Sequence, residues 1–340
     1  MDIEFLKQLC SANAVAGQED AARDLILARI AGKCECSVDS LGNILAFKKG
    51  KRRPKHKLLF SAHMDEVGFI ITSITPEGLL KFASVGGIDS RVIVGKPVLV
   101  GKNHLPGVIG TKAVHLQSKE EKETVLTEDK LTIDIGATSK EDAEKLVALG
   151  DLVAFDSAFF EMGGGLLKAK ALDDRAGCAL LVDLIESNLI YDCHFAFTVS
   201  EEIGAVGSKT AAFATDTEYA IVVETTTAAD IGGVPTEKQV CRLKHGPVVA
   251  PMDKGAVYDK ELYALALEIA KKRSLPIQVK EGVYGGNDSR SIQVSRVGVK
   301  VLAVSLACRY LHSPACVIAA EDYDSTLKLL QALAGEICKR

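Results

Sequence analysis

The pattern of apolar and polar residues divides the chain into three parts. Near the N-terminus, apolar residues at helical spacing predict helices over 5–10 and 19–30, and residues 57–62 form an apolar run of strand length. From Gly163 onward, strands alternate with helices to the C-terminus, which is typical of a largely parallel sheet covered by helices. The clearest predicted elements of this last part are strands over 195–200, 220–223 and 299–304 and helices over 259–272 and from about 322.

Residues 67–160 have a different pattern, in which short β-branched runs are separated by glycines. Runs at 69–72, 92–94 and 131–135 predict strands, and Ser139 is the predicted N-cap of one helix over 139–149. A segment of this kind is typical of a small β-barrel or sandwich.

Together these patterns predict an α/β protein with a mixed, largely parallel sheet and one β-rich insertion. The interrupted α/β domain would comprise residues 1–66 and 163–340, and the insertion would comprise residues 67–162. The length of 340 residues agrees with this division, since domains average roughly 150 residues.

Composition and charge exclude several classes of protein. The chain has 41 basic and 45 acidic residues, so no overall positive charge favours nucleic acid as a partner. No uncharged run is long enough for a membrane helix, and the N-terminus lacks the basic and apolar regions of a signal peptide. We therefore expect a cytoplasmic protein with no membrane partner, in which the nine cysteines are reduced thiols.

Five polar clusters lie shortly after an apolar strand or at the start of a helix. They are His63-Met-Asp65-Glu66, Asp173-Asp174-Arg175, Glu201-Glu202, Glu224 and Arg309-Tyr-Leu-His312-Ser313. Because ligands bind at the carboxyl ends of the strands in an open parallel sheet, we expect these clusters to share one rim. Two histidines with several carboxylates suit zinc, cobalt or manganese, and a carboxylate bridging two cations would make a two-metal hydrolase centre.

Each cluster also has a non-catalytic explanation. His63 alone is typical of a buried or capping histidine, and Asp173 alone is typical of an N-cap. Adjacent glutamates are normally a solvated pair, but Glu201 and Glu202 follow a nearly apolar strand, where two ionised groups repel unless a cation or proton intervenes. Glu224 alone would be a solvent-facing strand end. The joint pattern is much less probable by chance than any single member.

The motifs resemble those of the M42 metallo-aminopeptidases, the group of glutamyl and tetrahedral aminopeptidases among the co-catalytic zinc peptidases. Five motifs occur in the family's order over nearly the whole chain. They are Ala62-His-Met-Asp-Glu-Val-Gly68, Ala171-Leu-Asp-Asp-Arg-Ala-Gly177, Ser200-Glu-Glu-Ile-Gly-Ala-Val-Gly207, Gly285-Gly-Asn-Asp288 and Arg309-Tyr-Leu-His-Ser-Pro314.

The resemblance implies an aminopeptidase that removes N-terminal residues from short peptides with two divalent metal ions per subunit. The expected ions are zinc, with cobalt or manganese as alternatives. The implied metal ligands are His63, Asp173, Glu202, Glu224 and His312. Asp173 would bridge both ions, Glu201 would be the general base for a metal-activated water, and Asp65 would lie behind His63.

The same resemblance implies a co-catalytic zinc peptidase fold in which the insertion at 67–162 is a dimerisation domain. The family assembles as dimers, often further into dodecameric shells. Gly286, Asn287 and Asp288 would lie beside the substrate. The chain departs from the family pattern twice, with Glu224 where Asp is usual and Asn287 where Thr is common, so neither metal preference nor specificity is carried over from relatives.

Three alternatives stay open at this point. A related metal deacylase or carboxypeptidase would carry a lid with a regular βαβ pattern, which the glycine-punctuated segment 67–160 does not show. A non-catalytic assembly with the same fold would not need the full set of chemically competent side chains. A glycoside hydrolase with paired carboxylates would leave both histidines unexplained, and the chain has no Trp for a sugar platform.

Overall fold

A computed structural model describes residues 1–339, and its helices confirm the helical pattern at both ends of the chain. None of these helices combines the length and the apolar character needed to cross a membrane. The α-helices in this range are α1 Ile3–Ser11, α2 Asp20–Ile30, α3 Lys119–Glu123, α4 Lys140–Ala143, α5 Leu172–Glu186, α6 Val206–Thr215, α7 Lys260–Arg273, α8 Ser289–Ile292 and α9 Ala320–Lys339.

Strands occur in all three parts of the chain. They are β1 Glu35–Val38, β2 Ile44–Lys48, β3 Leu58–His63, β4 Gly68–Ile74, β5 Leu80–Val85, β6 Pro97–Val100, β7 Leu105–Gly110, β8 Thr132–Asp134, β9 Leu152–Phe155, β10 Phe160–Met162, β11 Leu166–Ala169, β12 Cys193–Thr198, β13 Tyr219–Thr227, β14 Val248–Val249, β15 Gln278–Val279, β16 Lys300–Cys308 and β17 Cys316–Ala319.

The main sheet has eight strands in the order β1-β2-β12-β3-β13-β16-β14-β15. Its central strands β12, β3, β13 and β16 are parallel, and antiparallel pairs join β1 to β2, β2 to β12 and β16 to β14. Every residue of β3 is buried, and α5 packs against β3 and β13 while α7 and α9 pack against β16. The predicted mixed α/β class is confirmed, and the carboxyl ends of the central strands meet at one rim.

The middle of the chain forms a closed barrel, with strand order β4-β5-β8-β7-β6-β9. Its interior is apolar, and Phe69 packs edge-on against Phe82 and Phe155, with ring centroids 4.9 and 5.3 Å apart. Of the two arrangements that the sequence left open, the chain therefore adopts the barrel. The boundaries at residues 66 and 163 and the role in dimerisation stay predictions.

The predicted strand over 92–94 is wrong. Ser90–Val92 form a 3₁₀ helix, which starts at Asp89 because the carboxylate of this residue accepts a hydrogen bond from the Arg91 amide at 2.9 Å. Of this apolar run, Ile93 is fully buried in the barrel core, whereas Val94 is exposed, so the β-branched residues do not mark an extended strand.

The predicted helix over 139–149 is shorter than expected. Ser139 caps it as predicted, since its Oγ accepts a hydrogen bond from the Asp142 amide at 3.2 Å. Regular α-helix ends at Ala143, whose carbonyl accepts the Leu146 amide at 2.9 Å in a tighter turn. Beyond Ala143, Val147 packs into the barrel core, whereas Leu146 and Leu149 are exposed.

Candidate metal centre and active site

The candidate ligands come from five separate segments that converge at the rim of the main sheet. His63 is the last residue of β3, and Glu201 and Glu202 follow the end of β12. Glu224 lies inside β13 rather than at its end, since the strand continues to Thr227. Asp173 lies at the start of α5 and His312 lies in the turn between β16 and β17. All of them line one cavity with a volume of about 450 Å³.

Asp173 lies between two groups of ligand atoms. Its Oδ1 is 3.5 Å from Nε2 of His63, and its Oδ2 is 3.4 Å from Nε2 of His312. On the first side, Oε1 of Glu224 is 3.4 Å from Nε2 of His63, and on the second, Oε1 of Glu202 is 3.5 Å from Nε2 of His312. One carboxylate is thus shared between two sets, each with one histidine and one glutamate.

The spacing of these atoms fits two divalent cations. Ligand atoms about 2.0–2.1 Å from a tetrahedral zinc ion are about 3.4 Å apart, which is the spacing observed on both sides of Asp173. Within residues 1–339, Oδ1 of Asp173 is buried and accepts no hydrogen bond, so its desolvation is uncompensated by the protein. Imidazole and carboxylate donors also match the chemistry of zinc, cobalt and manganese.

The pKa shifts of the clustered side chains also favour bound cations. Burial raises the pKa of Glu201 to about 10 and, together with the charge of Asp173, the pKa of Glu202 to about 7. Burial also raises the pKa of Glu224 to about 8, although His63 opposes this shift. Burial disfavours the His63 cation, yet the negative charge of Glu224 and the nearby carboxylate of Asp173 outweigh it and hold the pKa of His63 well above its usual value. The acids therefore need added positive charge to be ionised together.

Asp65 contacts both sides of the site through different atoms. Its carboxylate accepts the backbone amides of Glu201 and Glu202, each at 3.0 Å, and Nδ1 of His63 lies 3.1 Å from its carbonyl oxygen. The carboxylate itself is 3.5 Å from the His63 ring. Burial would raise the pKa of Asp65, but these contacts outweigh it and the pKa is lowered. Asp65 thus holds the paired glutamates in place from behind.

The barrel segment also contacts the candidate metal centre. Nδ1 of His312 donates a hydrogen bond to the carbonyl oxygen of Gly87 at 2.7 Å, which orients the ring so that Nε2 faces Asp173. Gly86 has a φ of +86°, and a Cβ there would lie 2.7 Å from Val67 and 3.3 Å from Glu202. Two glycines after β5 therefore allow the barrel to approach the site closely.

The predicted substrate loop is only partly open to the cavity. Gly286 and Asn287 line it, but the Asn287 amide donates to Asp253 at 3.2 Å and to the Tyr258 hydroxyl at 3.0 Å. Asp288 is buried outside the lining, where its Oδ2 accepts the Thr198 hydroxyl at 2.6 Å. Contact between these residues and substrate stays a prediction.

Sequence reasoning did not assign Asp174 to the site. This residue is fully buried, and one of its oxygens lies within 4.8 Å of ligand atoms of His63 and Glu224. Its Oδ1 accepts the Gly177 amide at 3.0 Å, whereas Oδ2 has no partner among residues 1–339. Burial and the charge of Glu224 hold its pKa well above the usual value. Its position directly after Asp173 is the sequence feature from which it could have been assigned to the site.

The sequence profile described as M42 glutamyl aminopeptidase matches residues 42–329. A relative from Acetivibrio thermocellus is 36% identical over 334 residues, covering 96% of each chain. An aminopeptidase structure from the archaeon Desulfurococcus kamchatkensis has a TM-score of 0.93 at 30% identity, covering 98% of this chain and 94% of its own. The TET1 peptidase of Pyrococcus horikoshii, which can assemble into a tetrahedron or a large octahedral shell, has a TM-score of 0.85 at 35% identity over 98% of both chains. These matches confirm the resemblance, and the chain belongs to the M42 family of peptidases.

Proposed function

We propose that this protein is a dinuclear metal aminopeptidase that removes the N-terminal residue from short peptides. The observation that carries the proposal is the position of Asp173, with one carboxylate oxygen 3.5 Å from His63 and the other 3.4 Å from His312. His63 and Glu224 would hold one ion, Glu202 and His312 the other, and Asp173 both. When bound, the two ions supply Lewis acidity and lower the pKa of water toward 7.

Glu201 is the group best placed to move protons. It lines the cavity beside Glu202, and its backbone is fixed by Asp65, yet its carboxylate belongs to neither of the two ligand sets. Its carboxylate would accept a proton from the attacking water and return it to the leaving amine of the peptide. The adjacent glutamates would then have different tasks, since Glu202 would bind metal and Glu201 would transfer protons.

Glu201 is a carboxylate of this cavity that stays outside both proposed ligand sets, so it could accept a charge-assisted hydrogen bond from the free α-amine of a peptide. We therefore expect N-acetylated peptides to be cleaved about 10- to 100-fold more slowly, because they lose a contact with a charged group. The measurement is kcat/KM for a free peptide and its acetylated form, with the metal-loaded enzyme. Equal turnover of the two forms would favour the deacylase or endopeptidase alternatives and contradict the proposal.

The cavity lining also includes two cationic side chains, Lys280 and Arg290. Nζ of Lys280 donates to the Tyr284 carbonyl at 2.7 Å, which fixes the position of the ammonium group. An ammonium group has three N–H donors, so others stay available for a substrate. Arg290 is exposed and forms no ion pair within residues 1–339. This charge distribution supports a preference for peptides with an acidic N-terminal side chain.

Substitution of Lys280 by Met is expected to lower kcat/KM for an N-terminal Glu substrate by about 10- to 100-fold, as for the loss of a charged hydrogen bond. Turnover of an N-terminal Leu substrate should change little. The control is Lys254→Met, which removes an exposed lysine outside the cavity lining. Equal losses for both substrates in Lys280→Met would contradict the proposed selectivity.

We also propose a homo-oligomer built through the barrel. Three apolar side chains of its long connection between β7 and β8 are 63–69% exposed, namely Val114, Leu116 and Val125. Several exposed, large apolar side chains on one surface connection are a feature of protein interfaces. Light scattering of the metal-loaded protein would count the subunits.

The nine cysteines are all unpaired, which supports a reducing, cytoplasmic environment.

A further inference from the structure

Behind the candidate metal centre lies a buried ionic cluster formed by Glu66, Lys170 and Arg175. These residues are only 2%, 3% and 0% exposed, respectively. Nζ of Lys170 is 2.6 and 2.9 Å from the two carboxylate oxygens of Glu66, and Nη2 of Arg175 is 3.8 Å from one of them. Two cations thus accompany a single acid. Burying charge is costly, so such a cluster calls for an explanation beyond packing.

Arg175 uses its donors on backbone carbonyls rather than on a carboxylate. Its Nε donates to Met64 at 2.7 Å, and its Nη1 donates to Leu9 at 2.6 Å and to Ala12 at 3.3 Å. Leu9 lies in the last turn of α1, and its carbonyl also accepts the amide of Ala12, just past the helix end, at 3.3 Å. One planar guanidinium therefore ties the end of α1 to the residue between His63 and Asp65.

Arg175 itself belongs to α5, the segment that carries Asp173. Arg175 is two residues after Asp173 in α5, so it links the backbone that carries Asp173 to the backbone that carries His63. Glu66 reinforces the link, since its amide donates to the Ala14 carbonyl at 3.0 Å and its Oε1 accepts the Ala14 amide at 3.0 Å. The cluster thereby connects the segments on which the His63–Asp173 spacing depends.

We propose that Arg175 is a positioning residue, which sets the distance between His63 and Asp173 and so controls metal affinity. The proposal rests on the proposed dinuclear centre. Arg175 does not line the cavity, and its hydrogen bonds go to backbone carbonyls rather than to a candidate ligand side chain. Its rigid fork of donors suits several carbonyls at once, which the single ammonium of a lysine cannot reproduce.

The test is calorimetric titration of the demetallated full chain with Zn²⁺ and with Co²⁺. Arg175→Lys and Arg175→Gln are expected to raise the metal dissociation constant by about 10- to 100-fold, as for other groups that support ligands from behind. Arg175→Lys retains a buried cation and is chosen to keep the fold, which circular dichroism verifies. With saturating metal, kcat should change far less than the dissociation constant.

The matched control is Tyr323→Phe, which removes a buried hydroxyl that donates to Asp183 at 2.8 Å between α9 and α5. This variant should lose thermal stability but bind metal as the wild type does. Unchanged metal affinity in folded Arg175→Lys, or equal weakening in Tyr323→Phe at the same loss of stability, would overturn the positioning role. Failure of the wild-type protein to bind either metal would instead overturn the dinuclear centre itself.

Discussion

Glu201→Gln is expected to lower kcat by about 10²–10⁴-fold, the usual contribution of a general acid–base group. The amide has nearly the same shape as the carboxylate but cannot accept a proton from water. Because Glu201 stands outside both ligand sets, the metal content should stay at the wild-type value. Steady-state kinetics with a peptide substrate and elemental analysis of the same sample measure the two quantities.

Glu202→Gln provides the matched comparison, because it changes the adjacent glutamate by the same single group. This variant should lose metal, since Oε1 of Glu202 lies 3.5 Å from Nε2 of His312 in the second ligand set. Wild-type turnover in Glu201→Gln would remove this residue as the base. Loss of metal from that variant would instead assign it to the ligands.

Asp173→Asn should have a still larger effect, because one carboxylate serves both ligand sets. The neutral amide keeps the shape but removes the charge that faces His63 on one side and His312 on the other. We expect at least one ion per subunit to be lost and turnover to fall by at least about 10³-fold, since even one electrostatic contact in a transition state is worth about 10²–10³.

Asp183→Asn is the control for Asp173→Asn. Asp183 is a partly buried carboxylate on the same helix, and it accepts the Tyr323 hydroxyl away from the cavity. Its substitution should leave the metal content and turnover close to wild type. A fully metal-loaded, active Asp173→Asn protein, or wild-type activity that persists after verified chelation, would contradict a dinuclear centre bridged by Asp173.

The sequence was sufficient to predict the α/β class and the convergence of the candidate ligands. Each ligand follows an apolar strand or opens a helix, so the rule for the carboxyl ends of parallel strands brought His63, Glu201 and Glu224 to one rim. The same rule brought in the Asp doublet, which opens a helix, and His312, which lies a few residues after a later strand, whereas the role of each side chain as a metal ligand came only from the family resemblance.

Features that depend on backbone atoms escaped prediction. The carbonyl oxygen of Gly87 orients His312, and four backbone carbonyls accept hydrogen bonds from Arg175. Every residue has a backbone carbonyl, so the sequence does not show which of them make these contacts. The wrong strand over 92–94 has a related cause, because an Asp89 side chain capping a turn overrode the β-branched pattern. Tertiary context decided each of these cases.

The hydrogen bond between His312 and Gly87 bears on how modular this enzyme is. A barrel whose strands begin with β4 could be thought of as a separate unit, to be deleted or exchanged between homologues. However, the turn after β5 reaches a proposed ligand of the α/β part, and glycine at position 86 keeps that turn close to Glu202. A chimera with a different barrel must therefore reproduce this two-residue turn, because the barrel and the α/β part meet at the proposed metal ligands His312 and Glu202.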